Sequence, residues 1–224
     1  KESLVKIVRN DSLGNYSWDS SNGYGINEWS QADLMTELNT DYINTSLTSG
    51  TTLWFNSNNN AKNGTYEYKN NITSDFIDKV AKVRWNLGGY KTPNASALNM
   101  YNAERGTLHV NNPSDGITRS NTWDGKIALI YLSDYGYAST DQACRSEVGP
   151  SNCKNENWLF NSKYQWTLSP YSGSANSVLV VDLGGGVYGT VAYYTGGVRP
   201  ALFLKSDVVI AEGTGTESDP FILE

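Results

Sequence analysis

The chain has a single histidine, His109, among its 224 residues, and that scarcity removes several chemistries at once. Zinc and non-haem iron centres built from several imidazoles are excluded. A Ser-His-Asp triad would have to use His109, which sits beside Asn111-Asn112-Pro113 with no nucleophile elbow nearby. The alternative is a solvated surface histidine. No Asp-x-Asp-x-Asp-Gly calcium loop occurs. No apolar run approaches the roughly 20 residues needed to cross a bilayer. Basic residues are few and unclustered: 17 Lys and Arg stand against 23 Asp and Glu, a formal net charge of −6. That balance argues against a nucleic-acid partner, whose phosphates require clustered cations. Acidic residues are plentiful, but no spacing selects a facing pair of the kind a glycosidase uses.

Cysteine is nearly as scarce. Cys144 and Cys153 are separated by eight loop-like residues. Two thiols at this spacing do not make a zinc site, which takes four ligands. A disulfide across the loop would contribute about 2–3 kcal/mol in the chain-entropy account and points outside the cytoplasm. Two unrelated buried thiols are the alternative. The chain begins at Lys1 without Met or a signal peptide, so a mature or trimmed fragment is expected, with any membrane anchor upstream.

What is abundant is uncharged and polar. Asn tracts occur at Asn58-Asn59-Asn60, Asn70-Asn71 and Asn111-Asn112, and there are 15 Tyr and 7 Trp. Surfaces rich in Tyr, Asn, Ser and Gly suit secreted binding modules. Turn-rich β proteins use the same residues for turns, so composition leaves both readings open. Six Asn-x-Ser/Thr sequons begin at Asn10, Asn15, Asn44, Asn63, Asn71 and Asn94, and they matter only in a host that glycosylates.

Periodicity predicts a first strand within Leu4–Arg9 and a loop from Asp11 to Gly25. A helix is expected near Gln31–Ile43, with Ser30 as N-cap, Asp33 completing a capping box and Trp29 stapled to Leu34. A loop holding Trp54 and Phe55 follows. Thr73 or Ser74 should cap a second helix, in which Phe76, Val80, Val83 and Leu87 follow helical spacing up to Gly88-Gly89. A third helix is expected over Ala95–Arg105, ending at Gly106. Beyond it, strands are expected at Lys126–Leu132, Tyr164–Leu168, Val178–Leu183, Val187–Tyr194, Pro200–Leu204, Val208–Ile210 and Phe221–Leu223. Helices first and strands later make an α+β pattern, and with no linker or repeat one domain spans 1–224. Gly184-Gly185-Gly186-Val187-Tyr188-Gly189 matches G-x-G-x-x-G, but the strand-like Thr190–Tyr194 follows instead of a helix. A hairpin turn is therefore expected in place of a dinucleotide site, and no cofactor.

Tyr164-Gln165-Trp166-Thr167-Leu168-Ser169-Pro170, the glycine hairpin and Gly197-Val198-Arg199-Pro200-Ala201-Leu202-Phe203-Leu204 together form a pattern. It resembles the C-terminal signature of C-type-lectin-like domains in the sulfatase-modifying (formylglycine-generating) superfamily. Gly23-Tyr24-Gly25-Ile26-Asn27-Glu28-Trp29, Ser133-Asp134-Tyr135-Gly136-Tyr137-Ala138, the Cys loop followed by Asn157-Trp158-Leu159, and Gly213–Phe221 are similar to runs in surface proteins of gut Firmicutes. Some of those carry a type IV pilin-like anchor upstream. The resemblance implies a C-type-lectin-like fold: two or three helices on twisted antiparallel sheets, with the N- and C-terminal strands close together. Trp166, the hairpin and Arg199-Pro200 would share one antiparallel sheet. Trp158 and Trp166 are expected in the core, Arg199 tying loop carbonyls together, and Pro200 opening a strand.

The chain departs from the catalytic and sugar-binding patterns of these families. It has no Glu-Pro-Asn, Gln-Pro-Asp or Trp-Asn-Asp motif, and Cys144 and Cys153 lie upstream of Trp166 instead of within the C-terminal core. The iron-binding histidines of the sulfoxide synthases are missing too. What is expected is an extracellular bacterial surface domain for adhesion or ligand binding, not an enzyme, that takes a glycan or protein on Ser169–Tyr194. Its contacts would be Tyr171, Ser172, Asn176, Tyr188, Tyr193 and Tyr194. The alternatives are a pilin-like structural subunit assembled through an upstream segment and, further off, an oxidase or glycosidase.

Overall fold

A computed structural model describes residues 4–44, 50–52, 64–66, 72–107, 115–149, 151–216 and 218–224. His109, Trp54, Phe55, the three Asn tracts and the sequons at Asn63 and Asn71 lie outside the described residues, save that Asn63 and Asn71 adjoin them.

In chain order the elements are β1 (Val5–Val8), β2 (Asn15–Ser17), α1 (Asp33–Asn39), β3 (Gly50–Thr52), β4 (Gly64–Tyr66), α2 (Ser74–Ile77), β5 (Val83–Asn86) and α3 (Ala97–Glu104). Then come β6 (Thr122–Gly125), β7 (Ile127–Ala128), α4 (Leu132–Tyr137), α5 (Gln142–Ser146), β8 (Gln165–Pro170), β9 (Ser177–Val181) and β10 (Val187–Val191). The chain finishes with β11 (Thr195–Gly197), β12 (Ala201–Leu204), β13 (Ile210–Glu212) and β14 (Ile222–Leu223). The class is α+β.

Two sheets organise the body. One has the order β10-β9-β8-β11-β2 and the other β1-β12-β7. All of β8 and β9 is buried, so these strands carry continuous apolar or neutral side chains instead of a half-wet alternation. The first strand pairs antiparallel with β12, Val5 opposite Leu204 through Val8 opposite Ala201, which brings the two ends of the fold together. The ribbon β13–β14 follows as a separate two-stranded sheet.

The expectation of one antiparallel sheet is corrected. Trp166 and the hairpin lie in the five-stranded sheet, where β11 joins β8 in parallel, while Arg199-Pro200 crosses to the other sheet. The crossing is held by charge-assisted hydrogen bonds. Buried Arg199 donates from Nε to Arg9 O at 3.0 Å, and from Nη1 to Leu159 O at 2.7 Å and Gln165 Oε1 at 2.9 Å. Pro200, just before β12, accepts the Arg9 N–H through its carbonyl.

Tryptophans fill the middle. Trp18, Trp29, Trp85 and Trp166 are all enclosed. Trp18 Nε1 donates to Thr167 O, Trp85 Nε1 to Gly125 O and Trp166 Nε1 to Tyr16 O, so three of the four indoles bury their ring without stranding a donor. Trp158 is corrected: it is 71% exposed. In its turn Asn157 and Leu159 face inward instead, with Asn157 Nδ2 donating to Tyr135 O and its Oδ1 accepting the Leu159 N–H.

Two helical expectations and one strand expectation also change. The first helix is shorter than expected, and Ser30 does not cap it. Glu28 accepts the Ser30 N–H in a 3-10 turn, and the Asp33 carboxylate receives Ser20 instead. The second stops at Ile77, because Val83, Trp85 and Leu87 also fit a period of two, and cross-strand pairing of Trp85 with Trp123 wins. The run 126–132 pairs only at Ile127–Ala128. Tyr131 then opens α4, with Asp134 Oδ2 accepting the Tyr131 N–H, a helix start hidden inside an apolar run. The third helix forms with Ser96 as cap, its oxygen accepting the Asn99 N–H. The short strand β2 lies inside the 11–25 stretch expected as loop, and α5 runs two residues into the stretch between the cysteines.

Replacing Arg199 with Met should destabilise the fold by about 3 kcal/mol or more, since three enclosed acceptors lose a charged donor. Arg199→Lys should recover only part of that, because one ammonium cannot reproduce the fork. Chemical denaturation of the three proteins checks both steps.

Candidate functional site

The described segment Ser169–Tyr194 forms the antiparallel hairpin β9–β10 and the loop entering it. Its glycine turn is internal architecture. Asp182 Oδ1 accepts the N–H groups of Gly184 (2.7 Å) and Gly186 (2.9 Å), and Gly185 takes φ +84°. Tyr135 donates its hydroxyl to Gly185 O, and Lys154, from the disulfide loop, packs against that glycine. Cys144 and Cys153 are bonded, with Cα atoms 4.9 Å apart, and the Val187 N–H donates to Gly149 O within the loop they close. The disulfide therefore braces the hairpin.

The entering loop is clamped by side chains that the sequence did not mark. Asn27 Nδ2 donates to Ser174 O (2.8 Å), Ser177 O (3.0 Å) and Tyr171 O (3.3 Å). Asn27 Oδ1 accepts from Arg119 Nε at 3.0 Å, and Arg119 Nη2 donates to Ala175 O and to Asp115. Arg119 holds the Asp115 carboxyl below its usual range. Upstream, enclosed Asp19 accepts the N–H groups of Ser21, Ile26 and Asp33, which fixes the turn that presents Asn27. The run Gly23–Trp29 is thus a scaffold for the loop.

The six expected contact residues divide. Tyr188 and Tyr194 are exposed, at 41% and 45%, and line a shallow depression of about 360 Å³ with Tyr164, Thr190 and Thr195. Tyr164 and Tyr188 have ring centroids 6.0 Å apart. Tyr193 stacks on Tyr194 at 4.5 Å and on Tyr24 at 5.8 Å, and Tyr24 is 61% exposed.

The other three residues do not line this depression. Tyr171 packs its ring over Gly189, and because side chains alternate along β10, that is the face opposite Tyr188. Ser172 is enclosed, and its hydroxyl has no partner among the described residues. Asn176 accepts the hydroxyls of Ser174 and Ser177 through Oδ1 and is spent inside the loop. Tyr24, Tyr164, Thr190 and Thr195 were missed. Tyr24 is distant in sequence, and no local pattern separates an outward tyrosine from one that packs.

No charged side chain lines this depression. Burial raises the Tyr164 phenol further above its usual value, so it stays protonated. The surface offers flat rings and neutral hydroxyls that both donate and accept. Among the described residues, no group of three or more His, Cys, Asp and Glu is placed to hold a metal ion.

A strongly displaced carboxyl lies elsewhere. Glu104 is enclosed and its pKa is pushed up from 4.5 to about 7, chiefly by burial. Its oxygens accept from the Ser133 N–H at 3.0 Å, the Ser133 hydroxyl and the Ser169 hydroxyl at 2.7 Å. Arg105 Nη1 stands 3.8 Å away, beyond hydrogen-bond reach, and the nearby Asp134 charge adds to the upward push. This cluster ties α3, α4 and β8 together. Folding raises the pKa, so the folded chain holds the proton more tightly than the unfolded one. That stabilisation is complete below about 4.5 and is lost as pH rises to about 7. The expected loss is about 3 kcal/mol between about pH 5 and about pH 8. Denaturation midpoints across that window should fall for the parent chain and stay flatter in Glu104→Gln.

Comparison with known proteins finds no matching family model, no matching curated protein and no matching solved structure.

Proposed function

We propose that this chain is a non-catalytic, extracellular surface domain that binds a glycan through the tyrosine depression on β10, on a C-type-lectin-like scaffold. The observation that carries the reading is the grouping of Tyr164, Tyr188, Thr190, Tyr194 and Thr195 around one shallow hollow, flanked by Tyr193 and Tyr24. Flat apolar rings match the C–H faces of a sugar, and uncharged hydroxyls match its hydroxyl groups without the desolvation cost of a charge.

A protein partner remains the second class of ligand for such a surface, since tyrosine is enriched in protein interfaces. The absence of charge in the hollow favours the glycan. The lectin-like scaffold is supported by the pairing of the chain's first strand with β12 and by a buried tryptophan strand leading into a surface hairpin. The disulfide supports an oxidising compartment. No described helix is long and apolar enough to cross a membrane.

A glycan array followed by titration calorimetry tests the reading. Tyr188→Ala together with Tyr194→Ala should weaken binding by roughly thirtyfold, about 2 kcal/mol, with the thermal midpoint unchanged. Tyr171→Ala, on the opposite face, should lower stability and leave affinity intact. Binding that survives the double substitution, or capture of proteins with no glycan bound, overturns the proposal.

A further inference from the structure

The aromatic surface continues beyond the hollow. Tyr194, on its rim, has its ring centroid 4.5 Å from that of Tyr193, and Tyr193 lies 5.8 Å from Tyr24. Within the hollow, Tyr188 and Tyr164 are 6.0 Å apart. Rings from three separate stretches of chain therefore form one run, with the hollow at one end and Tyr24 at the other.

The Tyr24 end is fixed by the fold. The N–H groups of Trp18 and Asp19 donate to Ala192 O at 2.8 and 3.1 Å, and the Tyr193 carbonyl accepts the Ser17 hydroxyl. Gly25, at φ +76°, lies so close to Asp19 O and to Ala192 that there is no room for a Cβ. The turn carrying Tyr24 is thereby locked just past the end of β10, and Tyr24, 61% exposed, is held against Tyr193.

Length, shape and charge of the run each limit what can lie on it. One centroid step is comparable with the advance of a single pyranose along a glycan, so a lone terminal sugar in the hollow would leave Tyr24 unused. Neighbouring ring planes are inclined by 57° between Tyr24 and Tyr193, by 43° between Tyr193 and Tyr194 and by 60° between Tyr164 and Tyr188. A flat ribbon of sugars, its faces all parallel, would stack on one ring and lift off the next. A chain that turns at each linkage can offer a C–H face to successive rings. Besides burial, the Asp182 charge is among the causes that raise the Tyr164 phenol, so negative charge is felt at the hollow, and no cation lines it. An anionic sugar would meet repulsion there without compensation.

We propose that the ligand is an uncharged oligosaccharide several units long with a coiling backbone, lying from the hollow across Tyr194 and Tyr193 to Tyr24. This rests on the glycan reading of the hollow and adds to it a second contact region, contributed by the N-terminal turn.

Titration calorimetry tests it with the coiling chains maltohexaose and laminarihexaose, the flat chain cellohexaose, the disaccharide of each, and anionic hexagalacturonate. At least one coiling hexaose should bind about tenfold more tightly than its disaccharide. Cellohexaose should bind more weakly than that hexaose, and hexagalacturonate should not bind. Tyr24→Ala should weaken the coiling hexaose about tenfold and its disaccharide less, with the thermal midpoint unchanged. Tyr24→Trp should restore the loss, since it is the ring face that is used. Equal affinity for hexaose and disaccharide, a hexaose affinity unmoved by Tyr24→Ala, cellohexaose or hexagalacturonate as the tightest probe, or silence of every probe beside a positive glycan array overturns this inference and leaves the hollow's glycan reading standing. A chain that binds no glycan on the array or in solution overturns both.

Discussion

The Arg199 guanidinium lies where the two sheets meet, and its acceptors belong to three separate stretches of chain: the end of β1, the turn after Trp158, and the first residue of β8. A planar fork with fixed donor directions can hold three such oxygens only in one mutual arrangement. The relative placement of the sheets is therefore set by one buried cation as much as by apolar contact. Val198 and Pro200, on either side of Arg199, take up backbone bonds to Gly14 and Arg9, so the crossing strand is pinned before and after it.

From that crossing, constraint passes outward through polar side chains buried for the same reason. Asn27 and Arg119 add side-chain donors to the carbonyls of the loop entering the hairpin, and Asp19 satisfies the turn carrying Asn27. Asp182 and the disulfide loop do the same for the glycine turn. Buried backbone groups must find partners, and where a loop replaces a ladder the partners are side chains. The outward tyrosines sit on a hairpin held at both ends, so their rings are placed before any ligand arrives. Preorganisation of this kind lowers the cost of binding.

The strands were legible where residue type and spacing agreed. The apolar run Val178–Val181 and the strand-like residues after the glycines favour a hairpin over a dinucleotide turn, and the hairpin formed as expected. The legible features failed where two periods fitted one run. Val80, Val83 and Leu87 suit a helix, but Val83, Trp85 and Leu87 suit a strand, and only Trp123, nearly 40 residues away, decides between them. Lys126–Leu132 looked like a strand because an apolar run with no polar face hides the helix start at Tyr131. At the candidate site, tyrosines could be named but not sorted. Tyr171 and Tyr188 are chemically alike, and they are separated only by the half-buried Tyr171 ring packing over Gly189, on the face of β10 opposite Tyr188.

Trp158 shows why that sorting matters beyond the tyrosine face. An indole left 71% exposed forgoes the burial that its size would reward, and nothing in its own turn requires the ring, since Asn157 and Leu159 make the inward contacts. The enclosed tryptophans contrast with it: three of the four satisfy a donor and all four fill volume. Inside this molecule, polar groups find partners almost everywhere. Among the described residues, exposed apolar side chains include Val5, Tyr137 and Trp158 beside a hollow along β1 and Val209, Ile210, Phe221 and Ile222 at the β13–β14 ribbon. The tyrosine hollow is set apart by its hydroxyls, and no charged side chain is among the residues that line it.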